Sequence, residues 1–102
     1  MERTDGDIKT VDKVRNDVHE PGMFCVILIN DDTTPMDFVV EILTKVFNKS
    51  EADAVRLMMK VHHDGSAVAG TYVEDIALTK SEITNKFARD NGFPLKTTVQ
   101  PA

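Results

Sequence analysis

The sequence predicts a small α+β domain in the order βααβαβ, a small antiparallel three-stranded sheet with three helices packed on it, preceded by a flexible N-terminal extension. Three observations carry this reading. Met23 to Ile29 is an unbroken apolar run of strand length, and Leu95 to Val99 alternates apolar with polar residues as a half-buried strand does. Between them, apolar residues recur at helical spacing in three blocks separated by Asn, Asp, Ser and Gly clusters.

Residues 1–22 read as the extension and 23–102 as the folded domain. In the first stretch charges of both signs alternate, with only Ile8, Val11, Val14 and Val18 scattered among them. Too little apolar surface is available there to offset the entropy of ordering the chain. Pro21-Gly22 then punctuates the start of the first strand, which is apolar at both parities and is therefore expected to be covered on both faces, or nearly so. The strand stops at the polar cluster Asn30-Asp31-Asp32-Thr33-Thr34. Thr34 as N-cap, Pro35 at the first helical position and Asp37 in the first turn start a helix. Met36, Val39, Val40, Leu43 and Phe47 make one stripe on it, and Phe38, Ile42 and Val46 a second, so it should be deeply placed.

Asn48-Lys49 ends that helix. Ser50 caps the next, with Asp53 three residues on in a capping-box arrangement. Ala54, Leu57, Met58, Val61 and His62 are expected on one face of the second helix, and Gly65 stops it. Ser66 to Val73, β-branched and Gly-containing, reads as a strand. Glu74-Asp75 suits the N-terminus of a third helix, although Val73 is no capping residue. A thin stripe of Ile76, Ile83, Phe87 and Ala88 is its expected buried face, and Asn91-Gly92 ends it.

Composition narrows the function. A chain of 102 residues with 41% apolar content makes one modest core. The formal charge of -5 and the lack of any Lys/Arg cluster oppose nucleic-acid binding. The single cysteine, Cys25, excludes an internal disulfide and sits in an apolar run, where a small buried hydrophobe is the plain reading. No apolar stretch of membrane or signal-peptide length is present, so a cytoplasmic protein without a membrane partner is expected.

The residues that carry chemistry are the loop 30–36 and the helix end Val61-His62-His63-Asp64-Gly65. Asn30 offers a carbonyl oxygen, Asp31 a carboxylate and His62 an acceptor nitrogen when neutral. Such a set suits a free protein N-terminus, whose ammonium has three donors and a pKa of roughly 7.7–8.0. Apolar positions adjoin it: Leu28 shares the strand parity of Asn30, Met58 lies one turn before His62 next to Val61, and Met36 and Val39 lie one turn apart. Taken singly, each feature has an ordinary structural reading, the double aspartate as a turn device and the methionines as core.

Together, the order Asn30, Asp31, Asp32, Thr34, Pro35, Met36, then Val61, His62 and Gly65, resembles the ClpS family of adaptors, over about Met23 to the C-terminus. The resemblance implies a protein that binds the α-amino group and bulky hydrophobic first side chain (Leu, Phe, Tyr, Trp) of N-degron substrates and delivers them to the ClpA unfoldase. It implies that Asn30, Asp31 and His62 bind the α-amino group and that Asp32 and Thr34 contact or shape the first peptide unit. Leu28, Met36, Val39, Met58 and Val61 would form the pocket, with Met36 as gatekeeper against β-branched residues. Asp75 and Lys80 match family positions that dock on the N-terminal domain of the AAA+ unfoldase, and the extension would help hand cargo over. Thr33 stands where relatives often carry an aromatic, and Leu78 where they are commonly polar.

No cofactor is expected. Asp31, Asp32, His62, His63 and Asp64 are all metal-capable, but adjacent histidines diverge on a helix and none recurs at i, i+4, so a small metal-dependent hydrolase ranks below the adaptor. His19 lies in the extension, and no Ser or Cys carries a nucleophile motif. The remaining rivals are another interaction domain, since the same element order resembles the C-terminal domain of the ribosomal stalk protein, and a ubiquitin-ligase fragment with the same recognition motif.

Overall fold

The computed structural model describes residues 22–102; the expected extension therefore lies outside the described residues, Gly22 excepted. The elements are β1 (Met23–Ile29), α1 (Met36–Lys45), α2 (Glu51–Asp64), β2 (Ser66–Val73), α3 (Glu74–Asp90) and β3 (Lys96–Pro101). The α+β order βααβαβ holds as expected. The sheet is antiparallel throughout in the order β2-β1-β3.

Because β1 is central, its inward side chains Val26 and Leu28 have no exposed surface, and they meet Ala67 and Ala69 of β2 and Thr97 of β3 in a buried layer. Expected cover on both faces is corrected here: Cys25 and Ile27 are half-buried and Ile29 is exposed. Flanking strands shield the outward side chains of a central strand even where no helix lies over them. Cys25 is accordingly half-buried rather than buried, with Sγ 3.6 Å from the Thr71 hydroxyl.

A bulge in β2 adjusts which residues face the helices. Val26 pairs with Gly70 and Ile27 with Val68, so Ala69 is the extra residue and the inward parity passes to Tyr72. A side chain at Gly70 would collide with the Tyr72 ring, so the glycine is what lets that ring fold back over the strand. Tyr72 then packs near Phe47, with centroids 6.4 Å apart.

Helix α1 buries Phe38, Val39, Ile42 and Leu43, and is deeply placed as its two stripes require. It ends at Lys45, short of Phe47, which is nonetheless buried. The Phe38 ring meets Phe87 at 5.4 Å and Phe93 at 4.7 Å, tying α1 to α3 and the loop beyond it. In α2 the Ser50 side chain accepts from the Asp53 N–H, as expected for a cap, and Ala54, Leu57, Met58 and Val61 are buried. His62, expected on that face, is exposed at the edge of it.

The third helix departs most from expectation. Ile76 and Ile83 are 46% and 49% exposed, and the face turned inward carries Ala77, Ser81, Thr84 and Ala88. Small residues let α3 approach the sheet closely, and the polar ones are paired. The Thr84 hydroxyl donates to the Lys80 carbonyl at 2.9 Å, and Ser81 and Thr97 share a hydroxyl–hydroxyl bond. Asn85 Oδ1 accepts from both the hydroxyl and the N–H of Thr97, at 3.1 and 3.0 Å. That N–H points to the free edge of β3, so Asn85 blocks a position where another strand could pair.

Gly65 is the pivot between α2 and β2. It has φ 89°, and its N–H donates to the Val61 carbonyl while its own carbonyl accepts from the Asn30 N–H at 2.9 Å. A Cβ there would meet no neighbouring atom, so the cost of substitution is backbone conformation alone. Gly65→Ala is expected to lower stability by about 1–2 kcal/mol, read by urea denaturation at unchanged m-value; a loss below a few tenths would contradict the turn's role.

Candidate functional site

The site follows from that pivot. Ile29, the last residue of β1, pairs with Ser66, the first of β2, and the Asn30–Gly65 bond extends the ladder by one residue. Because α2 ends immediately before Gly65, its last turn is drawn up against Asn30. Helix α1 packs on α2, which adds its first turn to the same place.

The result is a hollow of about 180 Å³. Its polar side is Asn30, Asp31, Asp32, Thr34 and His62, and its apolar side is Met36, Val39, Met58 and Val61. Val39, Met58 and Val61 are buried and give a firm floor, whereas Met36, the first residue of α1, is 45% exposed at the margin. Asn30, Asp32 and His62 are exposed, and Asp31 and Thr34 half-buried. The lining includes two carboxylates and neither lysine nor arginine, so a cation bearing an apolar group fits it and an anion does not. A cavity of roughly 150 Å³ suffices for a benzene-sized ring.

Nine of the ten residues expected at the amine site and pocket thus meet around one space. Leu28 is the correction. It is fully enclosed in the core with no exposed surface and does not line the hollow.

The loop is organised differently from expectation as well. Thr34 does not cap α1; Pro35 occupies the N-cap position with φ -65° and ψ 148°, and no side chain bonds there. The Thr34 hydroxyl instead donates to Asp31 Oδ2 at 2.6 Å, a charge-assisted bond within the loop. Asp31 Oδ1 accepts from the N–H groups of Thr33 and Thr34, both at 2.8 Å. The spacing Asp, i+2, i+3 is the usual Asx-turn pattern and was open to being read from sequence. Three of about four acceptor positions of Asp31 are thus engaged, leaving one on Oδ2.

Partial burial raises the affinity of Asp31 for its proton, but the hydrogen bonds from the Thr34 hydroxyl and from the Thr34 and Thr33 N–H groups outweigh it. The group sits below the ordinary carboxylate range. A lowered folded-state value means that ionised Asp31 stabilises the fold above the unfolded-state pKa. That contribution is lost as pH falls through the folded value.

The two further expected residues lie elsewhere. Asp75 is exposed in the first turn of α3, its Oδ1 accepting from the Ile76 N–H at 2.9 Å. Lys80 is half-buried: its ammonium donates to the Val46 carbonyl at the end of α1 at 2.6 Å and lies 5.2 Å from the centre of the Tyr72 ring. Sequence reasoning missed this internal anchor because its partners are 34 residues and one strand away. Among the described residues, no three His, Cys, Asp or Glu side chains group so as to hold a metal ion, and no helix is long and apolar enough to cross a membrane.

Comparison with known proteins decides the family. The model of the family described as ATP-dependent Clp protease adaptor protein ClpS matches residues 19–98. The chain belongs to the ClpS family. The ATP-dependent Clp protease adapter protein ClpS of Shewanella piezotolerans is 43% identical over 102 residues, covering the whole of both chains. That of Acetivibrio thermocellus is 49% identical over 85 residues, 83% of this chain and 86% of the relative. Among solved structures, Agrobacterium tumefaciens ClpS2 bound to L-phenylalaninamide matches with a TM-score of 0.78 and 41% identity, over 81% of this chain and 100% of that one. As a ClpS chain, this protein is an adaptor of the Clp protease and not an enzyme.

For this ClpS chain the Asp31 network makes a specific demand. Asp31→Asn is expected to cost about 1 kcal/mol near pH 7, because the loop loses a charged acceptor at a half-buried position. In denaturation series the gap from the parent should close as pH falls through the lowered Asp31 value; a gap constant across pH would show that the charge does not matter.

Proposed function

We propose that this adaptor captures proteins by a free α-amino group and a bulky, unbranched hydrophobic first side chain, and passes them to a ClpA-type AAA+ unfoldase in the cytoplasm. The observation that carries this reading is the joining of a cation-accepting rim to an apolar floor in one residue-sized hollow. Asn30, Asp31 and His62 bind the ammonium, Asp31 through its remaining Oδ2 position. Asp32 and Thr34 shape the path of the first peptide unit, and Met36, Val39, Met58 and Val61 receive the side chain. Met36 stands at the margin, where a branch at Cβ would press on it. The L-phenylalaninamide held by the Agrobacterium relative has a free amine and a benzyl side chain, and its neutral amide stands where a chain would continue.

Magnitudes are consistent with reversible capture. Burying a Leu or Phe side chain contributes roughly 1.5–3 kcal/mol, and each charge-assisted hydrogen bond about 1.5–3 kcal/mol net. After the cost of association, affinity near micromolar, about -8 kcal/mol, follows.

A peptide beginning with Phe is expected to bind, while its N-acetylated twin and one beginning with Ile do not, measured by fluorescence anisotropy. His62→Ala should weaken the Phe peptide about tenfold or more, and Met36→Ala should admit Ile. Equal binding of the acetylated peptide would refute the amine clamp; continued exclusion of Ile by Met36→Ala would remove the gatekeeper role alone.

Delivery needs a second surface. Exposed Asp75, with Ile76 and Leu78 exposed beside it, supports docking of the unfoldase N-terminal domain at the start of α3. Lys80 contributes there chiefly by holding α3 against α1 through Val46. The N-terminal extension helps to hand over the cargo. Asp75→Lys is expected to weaken binding to the isolated unfoldase N-terminal domain at least tenfold with the Phe-peptide affinity unchanged; unaltered docking would move the surface elsewhere.

A further inference from the structure

A second hollow, of about 230 Å³, lies between the end of α3 and the start of β3. Its floor is Phe93, Pro94 and Leu95, and its polar lining is Asn85, Arg89, Lys96 and Thr97. The floor is fixed, since Phe93 packs edge-on against Phe38 and Leu95 is buried. The charge is the reverse of the first hollow: two cations and no carboxylate, in a chain of net charge -5.

These cations are not accounted for by the fold. Neither Arg89 nor Lys96 forms an ion pair with any described residue; the pairs present are Lys45–Glu41, Arg56–Asp53 and Lys86–Asp90. Arg89 stands in the last turn of α3, where a cation complements the helix dipole. The carbonyls there are already served, however: Asn91 N–H bonds Phe87 and Ala88, Phe93 N–H bonds Ala88, and Gly92 N–H bonds Arg89. Asn85 is also oriented. Its Oδ1 accepts from the Thr97 N–H, which leaves its amide NH2 as a donor with no partner among the described residues.

We propose that this hollow binds a carboxylate carried directly on a small apolar body, as at the last residue of a chain ending in an apolar side chain. Arg89 grips the carboxylate, Lys96 and the Asn85 amide flank it, and the side chain lies on Phe93, Pro94 and Leu95. A chain end fits better than an internal acidic residue. In an extended chain adjacent side chains point to opposite faces, so an internal carboxylate and its apolar neighbour cannot enter one hollow together. A terminal residue bears both on one Cα. Ala102 is excluded as occupant in cis, because it is held by Met23 at the opposite end of the sheet from Lys96, which pairs with Ile29.

The test uses ligands whose amine is blocked, which the first hollow cannot accept on the reading proposed for it. The full-length 15N-labelled protein is titrated with N-acetyl-L-phenylalanine, N-acetyl-L-phenylalaninamide and N-acetyl-Phe-Glu-amide. The free acid should shift the backbone signals of Asn85, Arg89 and Lys96 and bind at least tenfold more tightly than either amide. Its affinity should fall with added salt and at least tenfold in an Arg89→Gln, Lys96→Gln double variant that still binds the Phe peptide normally. Equal binding of acid and amide, or shifts confined to the surroundings of Asn30 and His62, would overturn the proposal. Preference for the Phe-Glu amide would overturn its assignment to a chain end.

Discussion

One backbone hydrogen bond, from the Asn30 N–H to the Gly65 carbonyl, holds the functional end of this molecule together. It joins the residue after β1 to the residue after α2, and it exists only because Gly65 takes a left-handed turn that brings the helix back into the sheet. The loop that begins at Asn30 and the helix turn that ends at His62 then have a fixed separation. Without that closure, the acceptors on the loop and the floor on α2 would belong to two independently moving segments. The turn at Gly65 is held on both sides by hydrogen bonds, from its N–H to the Val61 carbonyl and from the Asn30 N–H to its own carbonyl.

A second layer of order sits on the first. Asp31 folds the loop onto itself through Thr33 and Thr34, which sets the direction in which α1 departs and hence where Met36 and Val39 lie. The carboxylate is kept ionised by its own loop before any ligand arrives. On the proposed reading, an incoming ammonium would meet an acceptor already charged and oriented, and little reorganisation would be needed on binding.

Much of this was legible in the sequence, and the failures have physical causes. Element order and the Ser50 and Gly65 caps follow from local signals (periodicity, capping residues and turn chemistry), whereas the gathering of loop 30–36 with Val61 and His62 is read through the family resemblance. What escaped was non-local. Thr34 has a good capping side chain, but a charged acceptor three residues back captures it. Ile76 and Ile83 have the apolar character of a buried face, but close approach of α3 to the sheet favours Ala77, Ser81, Thr84 and Ala88 there. Leu28 shares the strand parity of Asn30, but on the central strand that parity encloses it fully in the core. Lys80 reads as a solvated helix residue until Val46 and Tyr72 are seen beside it.

The depth of the hollow bears on how an adaptor of this kind can both hold and release. At about 180 Å³ it encloses one side chain, so on the proposed reading every later residue of the cargo stays in solvent and accessible to an unfoldase. Two of the three acceptors proposed for the ammonium, Asn30 and His62, stand on exposed residues, where water would compete for each hydrogen bond and limit what it adds. Buried Val39, Met58 and Val61 supply the part of the affinity that water cannot replace, and it is tied to the first side chain alone. On the proposed reading, selectivity is concentrated in one residue while total affinity stays modest, the combination that would let a captured chain be pulled away by its exposed remainder.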